Sequence, residues 1–188
     1  MQIIKASKAL IIASLLSLTG CFDFSAPTVQ NVDLERYMGK WYQISANETS
    51  FNEGLVAVTA EYTLLENGTV SVYNRALKGD FNGEVDEING VASVVNSSDT
   101  SKLNVEFPGI FNAPVPGGNY WIIVLDEIDY SYAAVADPLG FTLFILSRTP
   151  QMEEELYQNI LSELRSKGID TSKLKITLQP SEPLVSGE

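Results

Sequence analysis

The chain has no histidine and a single cysteine, Cys21, in 188 residues. Without histidine there is no Ser-His or Cys-His nucleophile and few of the usual zinc sites. One cysteine cannot close an internal disulfide. Basic residues are also scarce: 12 Lys and Arg stand against 24 Asp and Glu, a formal net charge of −12. Such a surface repels phosphate backbones, which excludes nucleic acid as a partner. It also keeps the protein away from anionic headgroups, so any membrane attachment must rest on something other than a basic patch. What remains is ordinary for a folded domain, with 45% apolar and 19% charged residues. The length suits one all-β domain with its own core.

The first twenty residues are unlike the rest. Lys5 and Lys8 precede the apolar run from Ala9 to Leu18, which is too short to span about 30 Å of hydrocarbon as a helix. It stops at Leu18-Thr19-Gly20-Cys21, small residues before a cysteine, and this resembles the bacterial lipobox. The resemblance implies a lipoprotein signal peptide over 1–20. It makes Cys21 a lipidated mature N-terminus and 21–31 a tether containing Pro27. Several acyl chains on one residue hold a protein in a bilayer, since each buried CH₂ contributes about 0.8 kcal/mol. Phe22, rather than Asp, follows the cysteine. By resemblance to enteric lipoproteins this implies the outer membrane, with the protein facing the periplasm.

Strand signals then recur at short intervals: 41–45, 55–65, 70–77, 84–95, 102–107, 119–126, 132–136 and 141–147. Glu66-Asn67-Gly68-Thr69 is a tight turn, because Asn-Gly tolerates positive φ. The links are of hairpin length with no helix between them, so the strands form an antiparallel meander. Eight such strands can close into a barrel with room for a small ligand. The expected fold is an all-β, eight-stranded antiparallel up-and-down barrel. Beyond it the period changes. Met152, Leu156, Ile160, Leu161 and Leu164 recur at about 3.6 residues, the mark of an amphipathic helix on the barrel's flank. Thr149 is the expected N-cap, Pro150 the first helical residue and Lys167-Gly168 the end. Residues 173–178 suit a last strand and 179–188 a flexible tail.

Gly39-Lys40-Trp41-Tyr42 opens the first strand, where Gly permits a tight turn and Trp can plug a barrel end. Ser147-Arg148-Thr149-Pro150 closes the eighth strand, and Arg148 can lie across the Trp41 face. Alone, G-x-W is common. In this order, with eight strands and a helix, the chain resembles the lipocalin family, and is similar to its bacterial members and to apolipoprotein D. The resemblance covers 32–178. It rests on residues 31–42, on 60–68 with Val72-Tyr73-Asn74, and on 145–150. It implies a calyx open at one end, a small hydrophobic ligand and no catalysis. It also implies structural roles for Gly39, Trp41, Tyr130 and Arg148. The family's second signature is a Thr-Asp-Tyr-like turn, replaced here by Leu125-Asp126-Glu127-Ile128-Asp129-Tyr130. Either Asp126 or Asp129 matches its aspartate.

Alternate residues of a barrel strand face inward. Choosing the more apolar parity, or the one matching the resemblance, gives Val58, Ala60, Tyr62, Val72, Asn74, Ala92, Leu103, Val105, Trp121, Ile123, Phe144 and Leu146 as lining residues. Any one of them is as readily plain core as ligand contact. Ligand binding here is burial, about 25 cal/mol per Å² of apolar surface, with Tyr62 and Asn74 as candidate hydrogen-bonding groups. The pairs Asp86-Glu87 and Asp126-Glu127 fall at turns and read as solvated surface rather than glycosidase carboxylates. No metal or cofactor is implied. The leading function is membrane-anchored binding or transport of fatty acids, lysophospholipids or similar ligands in the bacterial envelope. A lipocalin-fold isomerase-like enzyme and a ligand-free structural lipoprotein are the alternatives. The link 108–118, long and apolar, gates the pocket if it lies at the mouth.

Overall fold

The computed structural model describes residues 27–109 and 117–181. The leader, Cys21, residues 22–26, the stretch 110–116 and the tail from 182 lie outside the described residues. A one-turn helix, α1 (Leu34–Tyr37), is capped by Asp33, whose carboxylate accepts from Arg36 N. Then come eight strands: β1 (Gly39–Asn47), β2 (Leu55–Leu64), β3 (Val70–Lys78), β4 (Val85–Asn96), β5 (Asp99–Glu106), β6 (Tyr120–Leu125), β7 (Tyr132–Ala136) and β8 (Leu143–Ser147). Helix α2 (Glu154–Ser166) and a short β9 (Leu174–Ile176) complete the order.

Each strand pairs antiparallel with the next, and β1 pairs with both β8 and β2. The expected eight-stranded barrel is therefore what forms, with β9 as an added strand. Its floor is the end carrying α1 and the β2–β3, β4–β5 and β6–β7 turns. Its mouth carries the connections 48–54, 79–84, 107–119 and 137–142.

The floor-side half of β1 pairs with β2 through four positions, Gly39↔Tyr62 to Tyr42↔Thr59. Beyond them the two strands part, each bulged, and the C-terminal segment enters the gap. β9 pairs with Ser45–Asn47, and Thr177 N donates to Ile44 O. Ala57 N donates to Leu178 O. The Gln179 amide donates to both Gln43 O (2.9 Å) and Val58 O (2.8 Å), bridging the two strands. The wall is thus closed by residues 174–179.

Helix α2 begins at Glu154 with Glu153 as its cap, not at Thr149–Pro150. The Thr149 hydroxyl donates to Gln151 O instead of accepting an amide, and residues 148–150 form a bend ahead of the helix. The helix buries Ile160 and Leu164 against Ile44, Trp121, Ile123, Ala134, Leu143 and Ile145 on the outer wall. Tyr157 donates to Ser45 Oγ, and Lys167 Nζ to Ile123 O at the β6 bulge, fixing the helix in place. α1 lies outside the expected elements: with one turn it has no period to detect. Its signal was the Asp33 cap.

Candidate functional site: the barrel interior

The floor is built around Trp41, which is fully buried. Gly39, at φ +90°, turns the chain into β1 so that the indole points inward. The Trp41 indole N–H donates to Tyr37 O (2.9 Å), tying α1 beneath the barrel. The Arg148 guanidinium lies 3.8 Å from the ring. It donates to Lys40 O, Arg36 O and Tyr130 O. The charge is thus held by three backbone carbonyls and a π face, with no carboxylate paired to it among the described residues. Tyr130 accepts from Asp33 N and carries the Arg36 guanidinium over its ring at 4.1 Å. Asp126, rather than Asp129, organises the turn before it. Its carboxylate accepts from the amides of Ile128, Asp129 and Ser131 and from the Ser131 hydroxyl. Partial burial raises the Asp126 carboxyl, but these hydrogen bonds outweigh it and hold the group below the usual carboxylate range.

Above Trp41 sit three phenols. Tyr120 OH lies 2.9 Å from Tyr37 OH and 3.1 Å from Tyr62 OH. The Tyr37 ring is 5.0 Å from Trp41 and stacks on Tyr62 at 5.9 Å. Burial pushes the Tyr62 hydroxyl up to about 12 and raises Tyr37 and Tyr120 well above the ordinary tyrosine value, outweighing the hydrogen bond from Tyr120 and the nearby Arg148 charge at Tyr37 and Tyr62. All three remain neutral and serve as donors, not bases, at physiological pH. A cavity about the size of one water molecule lies between α1 and the wall, lined by these rings with Leu34, Met38, Val70, Ala92, Leu103 and Val105.

Of the expected lining residues, Ala60, Tyr62, Val72, Ala92, Leu103, Val105, Phe144 and Leu146 gather in this inner cluster. Val58 and Asn74 share their face: Asn74 pairs with Ala60, and Val58 lies two residues from it. Ala60, Asn74, Ile88, Val105, Tyr120 and Phe144 point inward yet stay partly exposed. These groups form the interior surface above the floor. The Asn74 Oδ1 has no hydrogen-bond partner there.

Trp121 and Ile123 are corrections: both lie on the outer face beneath α2. The inward residues of β6 are Tyr120 and Ile122. One face of β6 lines the cup and the other is covered by the helix, so all six residues of Tyr120–Leu125 suit burial and alternation carries no sign. A bulge at Ile123 shifts the phase again. Ile88 was readable from its place on β4, two residues before Gly90. Tyr37 and Tyr120 had no such signal. The link 107–119 joins strands at the mouth, though 110–116 lie outside the described residues. Among the described residues no cluster of His, Cys, Asp or Glu is arranged for a metal, and no helix is long and apolar enough to cross a membrane.

A closed eight-stranded antiparallel barrel with a Trp–Arg floor, inward side chains above it and a flanking helix is a calyx architecture. Residues 32–179 match the Lipocalin-like domain model, and the chain belongs to the lipocalin family. It is 38% identical over 167 residues to the outer membrane lipoprotein Blc of Vibrio cholerae, covering 88% of this chain and 94% of the relative. It is 33% identical to mouse apolipoprotein D, covering 85% and 83%. Among solved structures, lobster apocrustacyanin A1 shares the fold at 18% identity, with a TM-score of 0.62 over 79% of this chain and 81% of that one.

Proposed function

We propose that this protein is a lipid-anchored carrier or scavenger of the bacterial envelope that holds a small hydrophobic ligand, a fatty acid or lysophospholipid among them, in its calyx. The observation that carries the reading is the set of inward, partly exposed side chains on β2–β6 and β8, apolar except for Asn74, the Tyr120 hydroxyl and, near the mouth, Asp86. An acyl chain placed against them is stabilised by about 25 cal/mol per Å² removed from water. The envelope reading is supported by the Leu18-Thr19-Gly20-Cys21 sequence and by the likeness to Blc, which is named an outer membrane lipoprotein. With no histidine and its neutral phenols, the interior suits holding a ligand rather than transforming it. The ligand-lining residues are Val58, Ala60, Tyr62, Val72, Asn74, Leu103, Val105, Phe144 and Leu146, joined by Ile88 and Tyr120. Cys21 is the membrane attachment.

Two measurements test this. Radiolabelled palmitate fed to expressing bacteria should appear on the wild type and not on Cys21→Ser. The Cys21→Ser protein, expressed without the leader, should carry a co-purifying lipid in native mass spectrometry. A protein free of ligand across a lipid panel rules the carrier out.

A further inference from the structure

The mouth has a charge sign, and one charged group faces into the cup. Asp86 pairs with Ala76 on β3, two positions beyond Asn74↔Ile88 and four beyond Val72↔Gly90. Cross-strand partners share a face, and Val72 points inward. Asp86 therefore points inward, about 13 Å above the Tyr62–Val72 level. It is partly buried, and among the described residues no hydrogen bond or ion pair reaches its carboxylate.

The cations that approach the mouth are already engaged. Lys78, at the rim on the same parity as Ala76, pairs with Glu84 at 3.5 Å, and Lys175 pairs with Glu48. Arg75, two residues from Leu77, belongs to the outward face with Thr59. By sequence, the four connections at the mouth carry Glu48, Glu53, Asp80, Glu84 and Asp137 and no Lys or Arg. A carboxylate headgroup arriving here meets like charge from three of the four connections, while an ammonium group finds an unpaired partner at the depth where an acyl chain reaches the floor.

Resting on the carrier reading, we propose that Asp86 makes the calyx select single-chain lipids bearing a cationic nitrogen in the headgroup over free fatty acids. The tail lies toward Tyr62 and Trp41, and the ammonium sits beside the Asp86 carboxylate. Asn74, between the two levels, meets any hydroxyl or carbonyl close to the headgroup.

The test is titration calorimetry on the Cys21→Ser protein at low salt, with dodecylammonium, dodecanol and dodecanoate as matched probes. Dodecylammonium should bind about tenfold or more tighter than dodecanoate, with dodecanol between them. In Asp86→Asn that ratio should shrink about fivefold or more while dodecanol binds as before. Glu53→Gln, which removes an exposed charge from the 48–54 connection, should change the ratio by less than about twofold. A wild type that prefers dodecanoate overturns the proposal even if Asp86→Asn does not fold. So does a ratio that survives Asp86→Asn, or one that falls equally in Glu53→Gln, which would mark diffuse surface charge. If dodecanol binds none of the proteins, the carrier reading itself falls and takes the proposal with it.

Discussion

At the scale of single residues, the floor places the strictest demands. Gly39 combines φ +90° with a position where an added Cβ would touch Arg148 Nη1 at 3.5 Å. Contact at that distance is ordinary, so the cost of Gly39→Ala is backbone strain, about 1–2 kcal/mol. Urea unfolding should place it there, well short of the roughly 3–5 kcal/mol expected for Trp41→Ala. Asp126 gives a pH signature. A carboxyl held below its unfolded value contributes stability above that value and loses it as pH falls through the folded one. Asp126→Asn should therefore be less stable than wild type at neutral pH. The difference should shrink on acidification below about 3.9, in unfolding curves taken across the acid range. The three phenols work in the opposite sense. Their raised pKa values favour the fold below the ordinary tyrosine value near 10, a contribution lost as pH rises through about 12 for Tyr62. A tyrosinate absorbance titration should find Tyr37, Tyr62 and Tyr120 ionising last, together with unfolding. An ordinary titration of all eight tyrosines would contradict the packing described.

At the scale of elements, legibility followed solvent exposure. β2 and β3 have one wet face, and their alternation named Ala60, Tyr62, Val72 and Asn74 correctly as one face. β6 has two dry faces, so Trp121 and Ile123 were assigned inward when the helix covers them. Neither the bulges at Ile44 and Ala57 nor the start of α2 at Glu154 leaves a trace in periodicity, because each depends on a partner distant in the chain. Arg148 and Trp41 were readable from order along the sequence, whereas the contact between them is a product of closure. Two predictions belong here. Leu164→Ala empties the contact between α2 and the wall and should cost about 2–5 kcal/mol in chemical unfolding. Gln179→Ala leaves Gln43 O and Val58 O without their shared donor and should cost about 1–3 kcal/mol. Hydrogen exchange should then quicken at Ile44–Asn47 and Ala57, and not at β6 or β7.

At the scale of the whole molecule, the two tryptophans report on different compartments. Trp41 is the base of the cup, and Trp121 lies outside it under α2, with Lys102 4.7 Å from its ring. Trp121→Phe should keep the fluorescence response to a bound acyl ligand, carried by Trp41. Loss of the response in that variant would place the ligand on the helix side of the wall. The separation follows from the two cores the barrel wall divides, one inside and one beneath the helix.

Strand β1 takes partners from β2, β8 and β9, so its neighbours are synthesised across nearly the whole chain. Pairing over such sequence separations is slow to begin. A polypeptide interrupted before Gln179 would present unsatisfied strand edges on both flanks of the gap, an invitation to sticking or cleavage. Closure of the wall accordingly waits on residues 174–179, which act as the latch.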